Sequence, residues 1–139
     1  MGEIVVEAEL ENPLDRADFE RGQGTESDIR RTTLSATVDT GAVILMLPRN
    51  VVERLGLDIR RTAMVTYADE RKEERPVAGP VTVSLCRRFM NTDCVVGPPL
   101  SEPLIGQVVL ESLDLIADCR NQTLTPRPES PDYPLLNLK

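Results

Sequence analysis

Apolar and polar residues alternate with a period of two along much of this chain, which predicts strands over most of its length. Residues 3–10, Glu-Ile-Val-Val-Glu-Ala-Glu-Leu, are β-rich and partly alternating, and Asn12-Pro13 ends that strand. Residues 14–27 are charged and carry glycine, so they read as a loop. Residues 28–38 predict the next strand, with Leu34, Ala36 and Val38 on one face and Thr33, Ser35 and Thr37 on the other. A short helix is expected over residues 47–56: Pro48 suits its first turn, Val51, Val52 and Leu55 form its apolar stripe, and Gly56 stops it. Packing accounts for that helix without any further role. Residues 57–61 lead on to another strand.

Residues 63–68 form a strand, residues 69–75 are polar throughout, and residues 76–79 return, which reads as a β-hairpin with a charged, solvated tip. Residues 81–85 alternate cleanly and pair with residues 90–96 across a turn region at Arg87-Arg88-Phe89. A proline-rich, stiff loop at 97–103 precedes Leu104-Ile105-Gly106. Then Val109, Leu110 and Leu113 give residues 107–113 a helical stripe. Residues 114–118 resume a strand, 120–122 turn, and 123–126 return. The organisation expected is one domain over residues 1–126 and a proline-rich C-terminal tail over 127–139. Such a tail is ordinarily disordered, but Leu135, Leu136 and Leu138 call for something to bury them. No internal repeat is visible.

Composition narrows the chemistry. At 139 residues the chain is large enough for one core, and with 3% aromatic residues that core must come from Val, Leu, Ile and Ala. The net charge is -7, and the arginine pairs at 30–31, 60–61 and 87–88 are scattered, reading as solvated edge charges rather than a nucleic-acid surface. Histidine is absent, which removes Ser-His-Asp and Cys-His catalysis and His-based metal sites. Cys86, Cys94 and Cys119 have no metal-type spacing, and Asp and Glu show no calcium-loop spacing; no metal and no cofactor are expected. Cys86 and Cys94 could face each other across a hairpin. The chain shows no signal peptide and no run long enough to span a bilayer. The expectation is therefore a cytoplasmic protein with free thiols and no membrane partner.

One stretch stands apart. The strand at 28–38 delivers Asp39-Thr40-Gly41-Ala42, followed by Val43-Ile44-Leu45-Met46-Leu47. Asp, Thr and Gly are ordinary turn residues. A surface turn is usually polar, however, and here the flanks are nearly all apolar. An acidic side chain at a strand end, beside a glycine that admits close approach, is how a catalytic carboxylate is presented.

With Ala36 and Val38 before it and Leu45, Leu47 and Pro48 after it, Asp39-Thr40-Gly41-Ala42 resembles the active-site motif of retroviral-type aspartic proteases. Leu104-Ile105-Gly106 before a helix resembles their second hallmark. The resemblance spans about residues 3–126 and implies a mainly β, retropepsin-like closed-barrel fold with one or two short helices. It implies further that Asp39 is catalytic, that Thr40 bonds across a homodimer, and that Gly41 leaves room for peptide. Ala42 would pack behind the pair, and Leu104, Ile105 and Gly106 would support the active-site loop. Tyr67, Ala68, Asp69 and Glu70 would belong to a flap over bound peptide. Two departures stand out: Glu70 where many relatives carry glycine, and Gln107 where many retroviral enzymes carry an intersubunit arginine.

The implied chemistry needs two carboxylates sharing one proton, since like charges that close do not both ionise easily. No second Asp-[Ser/Thr]-Gly exists, and none of Asp69, Asp93, Asp114 and Asp118 is followed by Thr-Gly. The partner must be Asp39 of a second copy. The expected function is an endopeptidase acting on peptide or protein substrates. The alternative is a catalytically silent dimer of the same fold that binds peptide by strand addition.

Overall fold

The computed structural model describes residues 3–138. The fold is mainly β and compatible with the retropepsin-like expectation. Its strands are β1 (Ile4–Glu11), β2 (Arg31–Val38), β3 (Leu45–Pro48), β4 (Asp58–Thr66), β5 (Lys72–Leu85), β6 (Arg88–Gly97), β7 (Leu104–Ile105), β8 (Leu115–Asp118) and β9 (Thr123–Pro126). Three short helices join them: α1 (Pro13–Glu20), α2 (Arg49–Arg54) and α3 (Gln107–Leu113). Seven strands lie in the order β1-β2-β7-β3-β6-β5-β4, and β1 also pairs with β5. Six of them therefore close into a ring, and β4 hangs outside it, paired only with β5. Strands β8 and β9 form a separate two-stranded ribbon.

Alternation explains the ring. In β1, Ile4, Ala8 and Leu10 are buried; in β5, Ala78, Val81, Val83 and Leu85; in β6, Cys94 and Val96. These meet Leu45, Leu47, Leu55, Ile105, Val109 and Leu113 in one cluster. That core is aliphatic, as the scarcity of aromatic residues requires. A register shift between Ala78 and Val81 bends the long β5, so its first half makes a hairpin with β4 and its second half pairs with β1 and β6.

Several expectations need correction. Residues 14–27 are not a plain loop, for α1 occupies the first part of them. Asn12 caps that helix: its Oδ1 accepts from the backbone N–H groups of Leu14 and Asp15 at 2.9 and 3.2 Å, and its Nδ2 donates to the Leu55 carbonyl at 2.9 Å. Pro13 fits the first turn. No residue of α1 is buried, so no apolar stripe announced it. The helix is tied down instead by Glu11–Arg16 at 2.7 Å and Asp15–Arg30 at 2.9 Å. The Arg30 hydrogen bond holds the Asp15 carboxyl below its usual value. The following strand begins at Arg31 rather than at residue 28, because residues 26–28 make a single 3-10 turn.

The β5–β6 turn is Cys86-Arg87, both at positive φ (51° and 66°), the two-residue hairpin geometry that usually takes Asn-Gly. Arg88 is accordingly no solvated edge charge. It lies buried at the head of β6 and donates to the carbonyls of Leu113, Asp114 and Ser130. The cysteines are all free, so Cys86 and Cys94 are not bridged. At the C-terminus, the Ser130 hydroxyl and the Leu135 N–H both donate to Asp114, which also pairs with Arg127. The tail is thus pinned to the end of α3 while the side chains of Leu135, Leu136 and Leu138 stay exposed within the single chain.

Candidate active site

Topology places Asp39 where two constraints meet. Strand β7 lies between β2 and β3, parallel to β2 and antiparallel to β3. The link from β2 to β3 must therefore cross the end of β7, and that link is residues 39–44. The ladder continues past the end of β2: Thr37 donates its N–H to the Pro103 carbonyl at 3.0 Å, and Asp39 its N–H to Ile105 at 2.9 Å. Asp39 is thus held in extended register although it lies outside the strand proper.

The crossing loop is clamped from below by α3. Gln107 N–H donates to the Ala42 carbonyl at 2.8 Å, and Val108 N–H to the Val43 carbonyl at 2.9 Å. These are N–H groups that the first turn of a helix leaves without intrahelical partners. Gly106 sits directly beneath the loop: a Cβ there would lie 2.5 Å from the Ile44 carbonyl oxygen and 2.8 Å from Val43 C. Backbone passes over backbone with no room for a side chain. Ile105 and Gly106 therefore touch the crossing loop, Ile105 through the Asp39 N–H and Gly106 through the Val43 and Ile44 backbone, while Leu104 pairs with Thr37 and Met46 in the flanking strands.

Within the loop, Gly41 N–H donates to Asp39 Oδ1 at 2.9 Å, and Ala42 N–H to the Asp39 carbonyl at 3.0 Å. One carboxylate oxygen is thus fixed, and among the described residues the other has no hydrogen-bond donor. Asp39 and Ala42 are half-buried, whereas Thr40 and Gly41 face outward. Val43 is 68% exposed beside them, and Val108 is exposed next to Val43. Two grooves of the single chain, about 820 and 590 Å3, are lined by other residues, and Asp39 lies in neither of them.

The hairpin of β4 and β5 turns at residues 67–71, a shorter tip than the sequence suggested, because β5 begins at Lys72. Tyr67 N–H donates to the Arg71 carbonyl at 2.9 Å, and Glu70 N–H to the Tyr67 carbonyl at 2.9 Å. Glu70 has φ +67°, the left-handed conformation in which glycine costs least. The Arg71 guanidinium lies 4.5 Å over the Tyr67 ring, and the Tyr67 hydroxyl donates to Glu73 at 3.1 Å. Burial, and then the Glu73 carboxylate, push the Tyr67 phenol above its usual value. Midway along the hairpin, where Arg75 faces Ala63, its Nε donates to the Val96 carbonyl at 2.9 Å, tying the arm to the barrel wall. The polar contacts of Tyr67, Asp69 and Glu70 stay within the hairpin, and Ala68 is exposed at its tip.

Arg75 and Glu102 escaped the sequence reading. Arg75 looked like one more charge in a polar run. Glu102 sat in a proline-rich loop, yet its carboxylate accepts the Thr37 hydroxyl, two residues before Asp39. No local pattern connects positions 65 residues apart. Among the described residues no group of His, Cys, Asp and Glu could hold a metal ion, and no helix is long and apolar enough to cross a membrane.

A ring of strands with an Asp-Thr-Gly loop crossing the end of β7 defines an acid-protease-like domain. The family model for aspartyl proteases matches residues 25–109, and the chain belongs to that family, of the retropepsin-like type. No curated protein matches the chain. The matched segment runs from before β2 to the middle of α3, so it contains Asp39, the hairpin and Gly106. Family membership points to aspartic protease activity and a peptide substrate.

Proposed function

We propose that this protein is an aspartic endopeptidase whose active site forms when two copies bring their Asp39 side chains together. The observation that carries the reading is the clamped loop. Asp39 is fixed through its own N–H, its Oδ1 and the α3 clamp, while its other oxygen is open. Rigid placement of that kind is what catalysis by a positioned carboxylate requires. The lone Asp-Thr-Gly and the exposed Val43 and Val108 beside it support a two-fold partner at this face.

In such a dimer the two carboxylates share one proton. The ionised one takes a proton from a water as the water attacks the scissile carbonyl, and the protonated one polarises that carbonyl. The β4–β5 hairpin serves as a flap, with Tyr67, Ala68, Asp69 and Glu70 at its peptide-facing tip, and its closure excludes water. Thr40 bonds across the dimer axis. Residues 1–126 form the protease domain, and residues 127–139 a tail appended to it. Three free thiols, two of them exposed, fit a reducing compartment such as the cytoplasm.

Cleavage of a mixed peptide library across pH 3–8, with sedimentation of the same samples, tests the reading. Cleavage by a dimer, blocked by a transition-state isostere, supports it. A dimer that binds peptides and cleaves none establishes the silent binding module in its place.

A further inference from the structure

We infer that Glu102 forms an anionic subsite beside Asp39 and selects a cationic side chain, arginine or lysine, near the scissile bond. The inference rests on the protease reading above for the position of the scissile bond. Its geometry stands on the structure alone.

Thr37 and Asp39 are two residues apart in continuous extended backbone, since both donate their N–H groups to the same β7 segment. Side chains at i and i+2 share one face of a strand, about 7 Å apart. The opposite face, carrying Ala36 and Val38, packs into the core. Thr37 therefore projects on the side of the catalytic carboxylate, and its hydroxyl donates to Glu102 Oε1. That bond holds the Glu102 carboxylate along the wall that leads away from Asp39.

Glu102 is exposed, and among the described residues it has no cation within salt-bridge distance. One hydroxyl donor leaves most of the acceptor capacity of a carboxylate unused. An extended peptide advances about 3.3 Å per residue; Thr37 stands about 7 Å from Asp39 and the Glu102 carboxylate is bonded to its hydroxyl, which puts that carboxylate within about two or three residues of the bond being cut. The long stems of arginine and lysine span the remaining distance, and a guanidinium pairs with a carboxylate in bidentate fashion. An acidic side chain at the same place meets like charge. In a two-fold dimer the second Glu102 stands on the other side of the scissile bond, so the preference extends to both flanking positions.

The test is a matched peptide series with Arg, Leu or Glu flanking one scissile bond, assayed with the parent, Glu102→Gln and Glu102→Lys. The parent should favour Arg over Leu in kcat/KM by on the order of 10-fold, mainly through KM, and over Glu by more. Glu102→Gln should bring the Arg/Leu ratio close to unity, and Glu102→Lys should turn the preference towards Glu. Equal use of Arg and Leu by the parent, or an unchanged ratio in both variants, overturns the inference. The same series with a reduced, non-cleavable bond, titrated by calorimetry, separates the two claims. Arg-selective binding that depends on Glu102 without any cleavage upholds the subsite and overturns the protease reading. Cleavage without charge preference does the reverse, and absence of binding by every peptide overturns the subsite. Sedimentation of each variant confirms that the comparison is made on folded protein.

Discussion

Gly106 lies against Ile44 so closely that a single added carbon would sit 2.5 Å from the Ile44 carbonyl oxygen. This contact joins β7 and α3 to the loop that carries Asp39. Gly106 has ordinary backbone angles (φ -94°), so the need for glycine is one of space, not of conformation. Gly106→Ala should destabilise the fold by about 1–3 kcal/mol through overpacking and lower peptide cleavage by displacing the loop. Urea denaturation and a cleavage assay on the same preparation check both. Wild-type values for both would mean that the clamp does not position Asp39.

At the tip of the β4–β5 hairpin, Glu70 holds a left-handed φ of +67° that a side chain resists. Glu70→Gly should relieve up to about 1 kcal/mol of local strain, partly offset by the added freedom of the unfolded chain. Hydrogen exchange at residues 67–71 should slow relative to the parent. Exchange that is unchanged or faster would show that the left-handed turn is not the constraint on the tip.

The C-terminal latch should be acid-sensitive. Ser130 and the Leu135 N–H, with Arg127 beside them, hold the Asp114 carboxyl below its usual value. A depressed carboxyl contributes stability above its unfolded pKa, about 3.9, and loses that contribution as pH falls through the folded value. Protection of the Leu135 amide, corrected for intrinsic exchange, should therefore hold from pH 7 to about 4 and fall below that. Asp114→Asn keeps a residue tolerant of the left-handed backbone at 56° while removing the charge, and should weaken the latch at pH 7. A Leu135 amide equally protected in the variant and at pH 2 would contradict this.

Cys94 should resist labelling. It lies buried between β3 and β5, and burial, then Asp93, push its thiol up to about 12. Cys86 and Cys119 are exposed. A thiol reagent at pH 8 should modify two cysteines in the native protein and the third only on unfolding, as mass spectrometry will read. Rapid modification of all three would show the barrel opening at that point.

Where side-chain periodicity sets the element, the sequence was legible. Leu34, Ala36 and Val38 identified the core face of β2, and Val109, Leu110 and Leu113 that of α3. The left-handed φ of +65° at Gly56 matches its expected place just past α2. Asp39 and Gly106 were visible as motifs, and the structure brings their segments together through β7. What stayed hidden depends on contacts distant in sequence or on caps without burial. Helix α1 has no fully buried residue and rests on the Asn12 cap and two ion pairs. Arg88 looked solvated until the ends of α3 and the tail closed over it. The tie between Thr37 and Glu102 bridges β2 and the β6–β7 loop, which no periodicity reports.

The central claim is that one active site needs Asp39 from two chains. Asp39→Asn removes the acid and base while keeping size, and alone should lower cleavage by roughly 100- to 10,000-fold with the dimer intact. Asp69→Asn and Asp118→Asn should retain cleavage. The most direct measurement mixes parent and Asp39→Asn chains at fixed total concentration, after subunit exchange, and follows peptide hydrolysis. If both carboxylates are required, an equal mixture retains about one quarter of parent activity, because only dimers of two parent chains are active. Retention of about one half would mean that each chain works alone, and would contradict the shared dyad.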